Sequence, residues 1–410
     1  MKIINIAVRN INRNRRRSIL STASIAVASM GMVFLFSYLE GMKKDLSSNL
    51  HNYYTGEIQV RHREYGKYEY LNPLHLRIES YEEVVRAITR NEAVDVISPR
   101  ITFPAMIYRN EDTYKAVGMG VDILLEKAYQ DLESRIIEGR LPEKGKNETI
   151  LGAGLAEDIG VKTGDKITVL STTMRRGSNA VTLRVTGIVG FPVQALNKSY
   201  LIVPLDRARK LLRMDSSVTE IIMKLKKSGS SVRTAEQLNM AFAAAGRQEL
   251  EARSWEEIDS SYSFIEMASS AYNFMALFFF ILASSVIINT TMMVIYERRR
   301  EIGTIGALGM TGGEIVRLFF VEALFLSLIG SLIGVLAGVG VTIPLSITGI
   351  NLGAAMEGVD FEISNRIYPS LKLKSVSLVF VYSVFISSLA TIFPSVKASR
   401  VKPVEALRNI

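Results

Sequence analysis

The 410-residue sequence has no cysteine, so it offers no disulfide framework, no thiolate metal site and no cysteine nucleophile. Histidine is nearly as scarce. His51, His62 and His75 all follow the first apolar run, and ligand-spacing rules favour scattered surface imidazoles over a metal site. A phosphate-binding loop is missing as well. The nearest stretch, Gly139 to Asn147 (GRLPEKGKN), has one residue too many between its glycines and Asn147 where a Mg²⁺-binding hydroxyl belongs. It reads as a surface turn. The carboxylate pairs Glu82-Glu83 and Glu256-Glu257 sit in helix-like stretches and read as solvated faces. No catalytic, cofactor-binding or metal-ligating set stands out, which argues against an enzyme.

Apolar residues are abundant. They make up 48% of the chain, the mean hydropathy is +0.20, and the net charge is +9. A membrane-spanning helix requires about 20 predominantly apolar residues. Residues 18–39, 267–296, 316–345 and 375–396 meet this requirement. Ala26-Val27-Ala28 resembles a signal-peptidase site, but it lies inside the first run and not after it. Basic residues gather before the first run (Lys2, Arg9, Arg13, Arg15, Arg16, Arg17), between the second and third (Arg298, Arg299, Arg300, Arg317), and after the fourth (Lys397, Arg400, Lys402, Arg408). The positive-inside rule puts all three regions in the cytoplasm. The arginine cluster before the first run is therefore a topogenic anchor and not a nucleic-acid patch.

The expected architecture is a membrane protein with four transmembrane α-helices and a large α+β extracytoplasmic domain inserted between helices 1 and 2. Its segments are a cytoplasmic amphipathic helix (1–17), the first span (18–39), the external domain in two lobes (40–266), and the second span (267–296). A cytoplasmic helix (297–315), the third span (316–345), an external loop (346–374), the fourth span (375–396) and a cytoplasmic tail (397–410) follow. In the external domain, alternation predicts strands at Glu57–Arg61, Leu74–Ile78, Lys166–Leu170, Ala180–Val189 and Glu220–Leu225. Helical periodicity marks Tyr81–Arg90, Leu205–Leu212 and Val232–Ala245. Glu256–Ala271 continues a helix-compatible pattern into the second span.

Two local patterns bear on function. Ile302, Ile305 and Leu308 recur at helical spacing within a charged segment, as on a helix lying at a membrane surface. Gly330, Gly334 and Gly338 recur every fourth residue and give one helix face to close packing.

The segment YERRREIGTIGALGMTGGEIVRLFFVEALFLSLIGSLIGVLAGVG, Tyr296 to Gly340, resembles the signature region of the FtsX-like permease superfamily. AVRNINRNRRRSILS and ASRVKPVEALRN look like that superfamily's two ends. Four spans with a large domain after the first are similar to lipoprotein-releasing (Lol-type) and macrolide-exporter (MacB-type) permeases. ILGAGLAEDIGVKTGDKITVLS and VTGIVGFPVQALNKSYLIVPLDRARKLL look closer to the Lol-type pattern.

The resemblance implies a non-catalytic subunit of an ABC transporter in the bacterial inner membrane, with both termini cytoplasmic. ATP and Mg²⁺ would be bound by a separate ATPase chain, and none by this one. A second permease chain, identical or paralogous, would complete the pair. Arg298, Arg299, Glu301, Ile302, Ile305 and Leu308 would then form the ATPase-coupling helix. Lipoprotein acyl chains would enter between the first two spans, past Met32, Phe34, Phe36, Phe274 and Phe278. The other partners would be membrane lipids and a periplasmic carrier or outer-membrane component, with no nucleic acid. No long insertion for carrier docking is present, and Phe191-Pro192 is the one candidate for a shortened version. Efflux of peptides or drugs, and signalling to a cell-wall hydrolase without transport, are the alternative readings.

Overall fold

The structure, a computed structural model, describes residues 2–13, 15–109, 111–227, 229–258, 295–352 and 364–400, with isolated positions between 270 and 293. The chain divides into two compact units. One holds Met1–Lys44, Glu266–Ile350 and Ile367–Ile410, and the other holds Asp45–Ile265 and Asn351–Arg366.

The first unit is helical. Among the described residues, three helices are long and apolar enough to cross a membrane: Ser18–Tyr54, Gly312–Thr348 and Leu373–Ser399. The expected second span, 267–296, is described only at interrupted positions, and the expected extension of Glu256–Ala271 beyond Ile258 lies almost wholly outside the described residues. Lys2–Arg13 forms the expected amphipathic helix ahead of the first long one. The helix Gly312–Thr348 starts at a capping box, in which Thr311 and Glu314 satisfy each other's backbone N–H groups. The last long helix is interrupted at Thr391, between Leu373–Ala390 and Ile392–Ser399. Pro394 explains the break: its ring crowds the carbonyl four residues back, that of Ala390.

These helices pack through small residues. A Cβ added to Gly330 would lie 2.8 Å from the Thr22 carbonyl oxygen, and one on Gly334 would lie 2.3 Å from that of Ala26. On Gly338 it would meet the Val33 side chain at 2.8 Å. Backbones in this contact approach as only glycine allows. Hydroxyls join the last long helix to the others: Ser29 Oγ donates to Ser383 Oγ at 2.9 Å, and Ser331 Oγ to the Phe380 carbonyl at 3.3 Å. Ser327 and Ser388 pair at 3.3 Å. Met32, Val33, Val335 and Val379 fill the space between.

The second unit is built on a ten-stranded mixed sheet. Its strands are β1 (Ile58–His62), β3 (Val94–Arg109), β4 (Asp112–Val121), β5 (Ile136–Gly139), β6 (Glu148–Gly152), β7 (Lys166–Thr172), β8 (Ser178–Val189), β9 (Tyr200–Pro204), β11 (Glu220–Leu225) and β12 (Leu250–Ser254). Two-residue strands β2 (Ile78–Glu79) and β10 (Ser217–Val218) pair apart from it. The sheet order is β12-β1-β11-β3-β4-β9-β6-β8-β5, with β7 paired to both β3 and β8. β4–β9 and β6–β8 are parallel pairs. Helices Tyr81–Thr89, Leu205–Leu212 and Ser231–Ala244 cover the main core through Ile88, Leu211 and Leu238. A second cluster gathers around Tyr53, Val121, Ile150 and Phe191.

The strand expected at Leu74–Ile78 survives only at its last residue. Leu74 and Leu76 are buried, as the alternation demanded, but their N–H groups bond to Asn72 and Pro73 carbonyls in tight turns. Residues 364–366 belong to this unit too: Ser364 N and Oγ donate to the Asp45 carboxylate, each at 2.8 Å.

Candidate functional site

The charged segment after residue 295 folds into a short helix, Arg299–Ala307. Gly303 and Gly306 weaken it, so tertiary contacts must hold it in place. Ile302 supplies the main one, packing with Ile295, Ile315, Phe319 and Ala398. Gly309 then adopts φ +99°, a conformation that favours glycine, and Thr311 caps the next helix.

Glu301 is the electrostatic hub. It accepts from Arg13 Nη2 at 2.5 Å and from Arg298 Nε at 3.0 Å, while Arg298 Nη2 donates to Asn10 Oδ1 at 3.0 Å. Arg298 is buried, Arg299 half-buried, and Arg13 exposed. The N-terminal helix, the short helix and the start of Gly312–Thr348 together enclose a cleft of about 410 Å³. Arg13, Arg298 and Glu301 line its polar part, and Ile6, Ile302, Ile305, Ile315, Leu318 and Phe319 its apolar part.

The six residues of the charged segment are thus split. Arg298, Glu301, Ile302 and Ile305 face this cleft. Leu308, grouped with the two isoleucines by spacing, does not share their burial: it is 83% exposed. The helix ends at Ala307, so Leu308 leaves the stripe and projects into solvent.

The proposed substrate contacts are scattered. Met32 is 4% exposed and sits inside the helical core, with Phe36 packed against that core. Phe34 is half-buried and stacks on Tyr38, with ring centroids 6.4 Å apart. Phe274 and Phe278 are 72% and 55% exposed. Only these last two present most of their surface.

In the second unit, Phe191 does not form a protruding docking loop. It is buried, edge-on to Tyr53 at 5.6 Å, because its apolar ring completes the second core cluster. His51 also departs from expectation: it is half-buried against Trp255, with centroids 4.7 Å apart.

Sequence reasoning missed a buried ion pair altogether. Arg100 Nη2 donates to Glu126 Oε1 at 2.6 Å, both side chains being essentially inaccessible. Burial opposes the charge on Arg100, but the attraction and hydrogen bond of Glu126, with Tyr129 and Glu220 beside it, together outweigh burial, and the guanidinium pKa rises above its usual value. Arg100 also donates to the Tyr53 carbonyl at 2.9 Å and to that of Asn52 at 3.3 Å, and Tyr129 Oη donates to that of His51 at 2.7 Å. These are the orphan carbonyls of the helical segment Leu50–Tyr54, so the pair works as a buried C-cap. A neighbouring polar cleft of about 370 Å³ holds Glu220, which accepts from Gln59, Arg61 and Thr102.

Residues 273–403 match the family described as FtsX-like permease C-terminal, and residues 18–241 match the MacB-like periplasmic core domain. The chain is 23% identical over 412 residues to the lipoprotein-releasing system transmembrane protein LolC of Neisseria meningitidis, covering 95% of this chain and 94% of that one. It is 22% identical to an uncharacterized ABC transporter permease of Methanocaldococcus jannaschii, covering 99% and 98%. The crystal structure of the periplasmic region of MacB from Actinobacillus actinomycetemcomitans is similar at a TM-score of 0.37 and 15% identity, covering 50% of this chain and 92% of that one. The two family matches together take in both structural units and all three long apolar helices, and the chain belongs to the MacB-like, FtsX-like family of ABC transporter permeases.

Proposed function

We propose that this permease couples ATP hydrolysis by a separate partner chain to the extraction of lipoproteins from the outer leaflet of a bacterial inner membrane. The observation that carries this reading is the nearly end-to-end similarity to LolC. The partner would hold ATP and Mg²⁺ and would bear on the short helix Arg299–Ala307, where exposed Leu308 offers an apolar contact beside charged residues. Ile302 would pass that push to Ile315 and Phe319 at the start of the glycine-rich helix. Of the five candidate acyl contacts, Phe274 and Phe278 have the surface for the role, and Met32 serves packing. A second permease chain completes the assembly, and a soluble carrier or outer-membrane component receives the cargo.

The test is reconstitution with the ATPase in liposomes holding a lipid-anchored protein, with an acceptor outside. Release of the acylated form alone supports extraction. Intact ATPase activity without release sinks it. The match of residues 18–241 to the MacB-like core domain favours efflux of peptides or drugs as the second reading, and the same liposomes loaded with such compounds would report it.

A further inference from the structure

The cleft beside the short helix has a chemistry that cargo extraction leaves unused. Two guanidiniums, Arg13 and Arg298, face the one carboxylate of Glu301, and the other polar partner, Asn10, is neutral. Among the described residues lining the cleft, one positive charge is left over. The Arg298 side chain is only 10% exposed, so its share of that charge is less screened by water than that of Arg13. The rest of the lining is mostly apolar, with Ile6, Ile302 and Phe319 among it. Depth is the third element. Arg13 lies just before Ser18, where the first long apolar helix begins its candidate span, and Phe319 lies in the second turn of Gly312–Thr348. Both positions mark the end of a span, the level of lipid headgroups.

An apolar wall beside a surplus cation, at a span's end, fits an amphiphile with a negative head. We propose that this cleft binds one anionic phospholipid, its phosphate between Arg13 and Arg298 and its proximal acyl carbons against Ile6, Ile302 and Phe319. A volume of about 410 Å³ lies within the usual range of small-ligand sites, roughly 300–1,000 Å³. A zwitterionic lipid offers the same phosphate, but its own ammonium cancels the charge that the site needs. Free phosphate offers the charge without the chain. The site is independent of cargo, so its test does not pass through transport.

The full chain, purified without its ATPase, is placed in nanodiscs of equal phosphatidylglycerol and phosphatidylcholine and examined by native mass spectrometry. One phosphatidylglycerol per chain should be retained in preference to phosphatidylcholine. Arg13→Gln should lower that preference about fivefold, the worth of one arginine near a headgroup. Arg298→Gln should lower it by at least as much. Since Arg298 is buried and its variant can fail to fold, exposed Arg13 is the deciding position. Ile6→Asn keeps every ion pair and should weaken retention through the chain contact. Equal retention of the two lipids overturns the proposal, as does indifference to Arg13→Gln. Displacement by excess glycerol 3-phosphate also overturns it and makes the site one for soluble phosphates.

Discussion

The Arg13 guanidinium lies 2.5 Å from the Glu301 carboxylate, tying together residues 288 positions apart. The two side chains are 57% and 50% exposed, so solvent screens the pair. A double-mutant cycle of Arg13→Gln and Glu301→Gln should therefore return a coupling of only about 0.2–1 kcal/mol in thermal unfolding. In ATPase-driven release, the same substitutions should raise the ATP consumed per lipoprotein freed. An unchanged ratio would separate this contact from coupling.

Gly334→Ala should destabilise the helical unit, because the new Cβ would stand 2.3 Å from a backbone oxygen that cannot yield. Overpacking of this kind costs about 1–3 kcal/mol. Gly340→Ala is the control. Nothing lies within 4 Å of its added Cβ, so helix propensity should stabilise it by up to about 1 kcal/mol. Melting of both variants in detergent decides between packing and mere composition.

Leu308→Ser should leave the melting temperature nearly unchanged, within about 0.5 kcal/mol, since the side chain is exposed. ATPase binding should weaken about tenfold, because a docked leucine buries roughly 1.5 kcal/mol or more. Titration of labelled ATPase onto the reconstituted permease measures it. Unaltered affinity would remove Leu308 from the docking face.

Arg100→Met should cost about 3–5 kcal/mol by stranding the Glu126 charge and releasing the carbonyls of Asn52 and Tyr53. Replacing Arg100 and Glu126 together by apolar residues should cost less. Chemical denaturation of the three proteins checks the order.

Acid should loosen the second unit through Glu148. Its hydrogen bonds from Arg140, and one from the Glu143 N–H, hold its pKa below the ordinary 4.5. A depressed carboxylate pKa contributes stability above the unfolded value and loses it as pH falls through the folded one. Glu148→Gln should accordingly show a flatter fall in melting temperature below about pH 4.5 than the parent chain.

How much of this was legible in the sequence varies with the physics. Long apolar runs report themselves, because length and hydropathy need no knowledge of partners, and the glycine spacing likewise announced a packing face. The hairpin of β3 and β4 did not. Pro99 and Pro104 lie within β3 and argue against a central strand, and no glycine stands between Arg109 and Asp112 in the sequence. The site was half legible. Ile302 and Ile305 followed from spacing, but the role of Arg13 depends on a contact across most of the chain. Met32 could not be told from a lipid-facing residue, because both positions are apolar and only the neighbouring helix differs.

The glycine face has a translational symmetry that the rest of the molecule must break. Gly330, Gly334 and Gly338 repeat every turn, so sliding the helix by four residues, about 6 Å, would seat each glycine where its neighbour was. Glycines alone thus forbid rotation while leaving axial position degenerate. The last long helix removes that freedom. Its Ser383 accepts from Ser29 on one neighbour and its Phe380 carbonyl accepts from Ser331 on the other, so a slip on either side would break a hydrogen bond between helices. Register in this bundle is therefore kept by a third party: two helices that could glide are pinned by hydrogen bonds to a helix that takes no part in the groove.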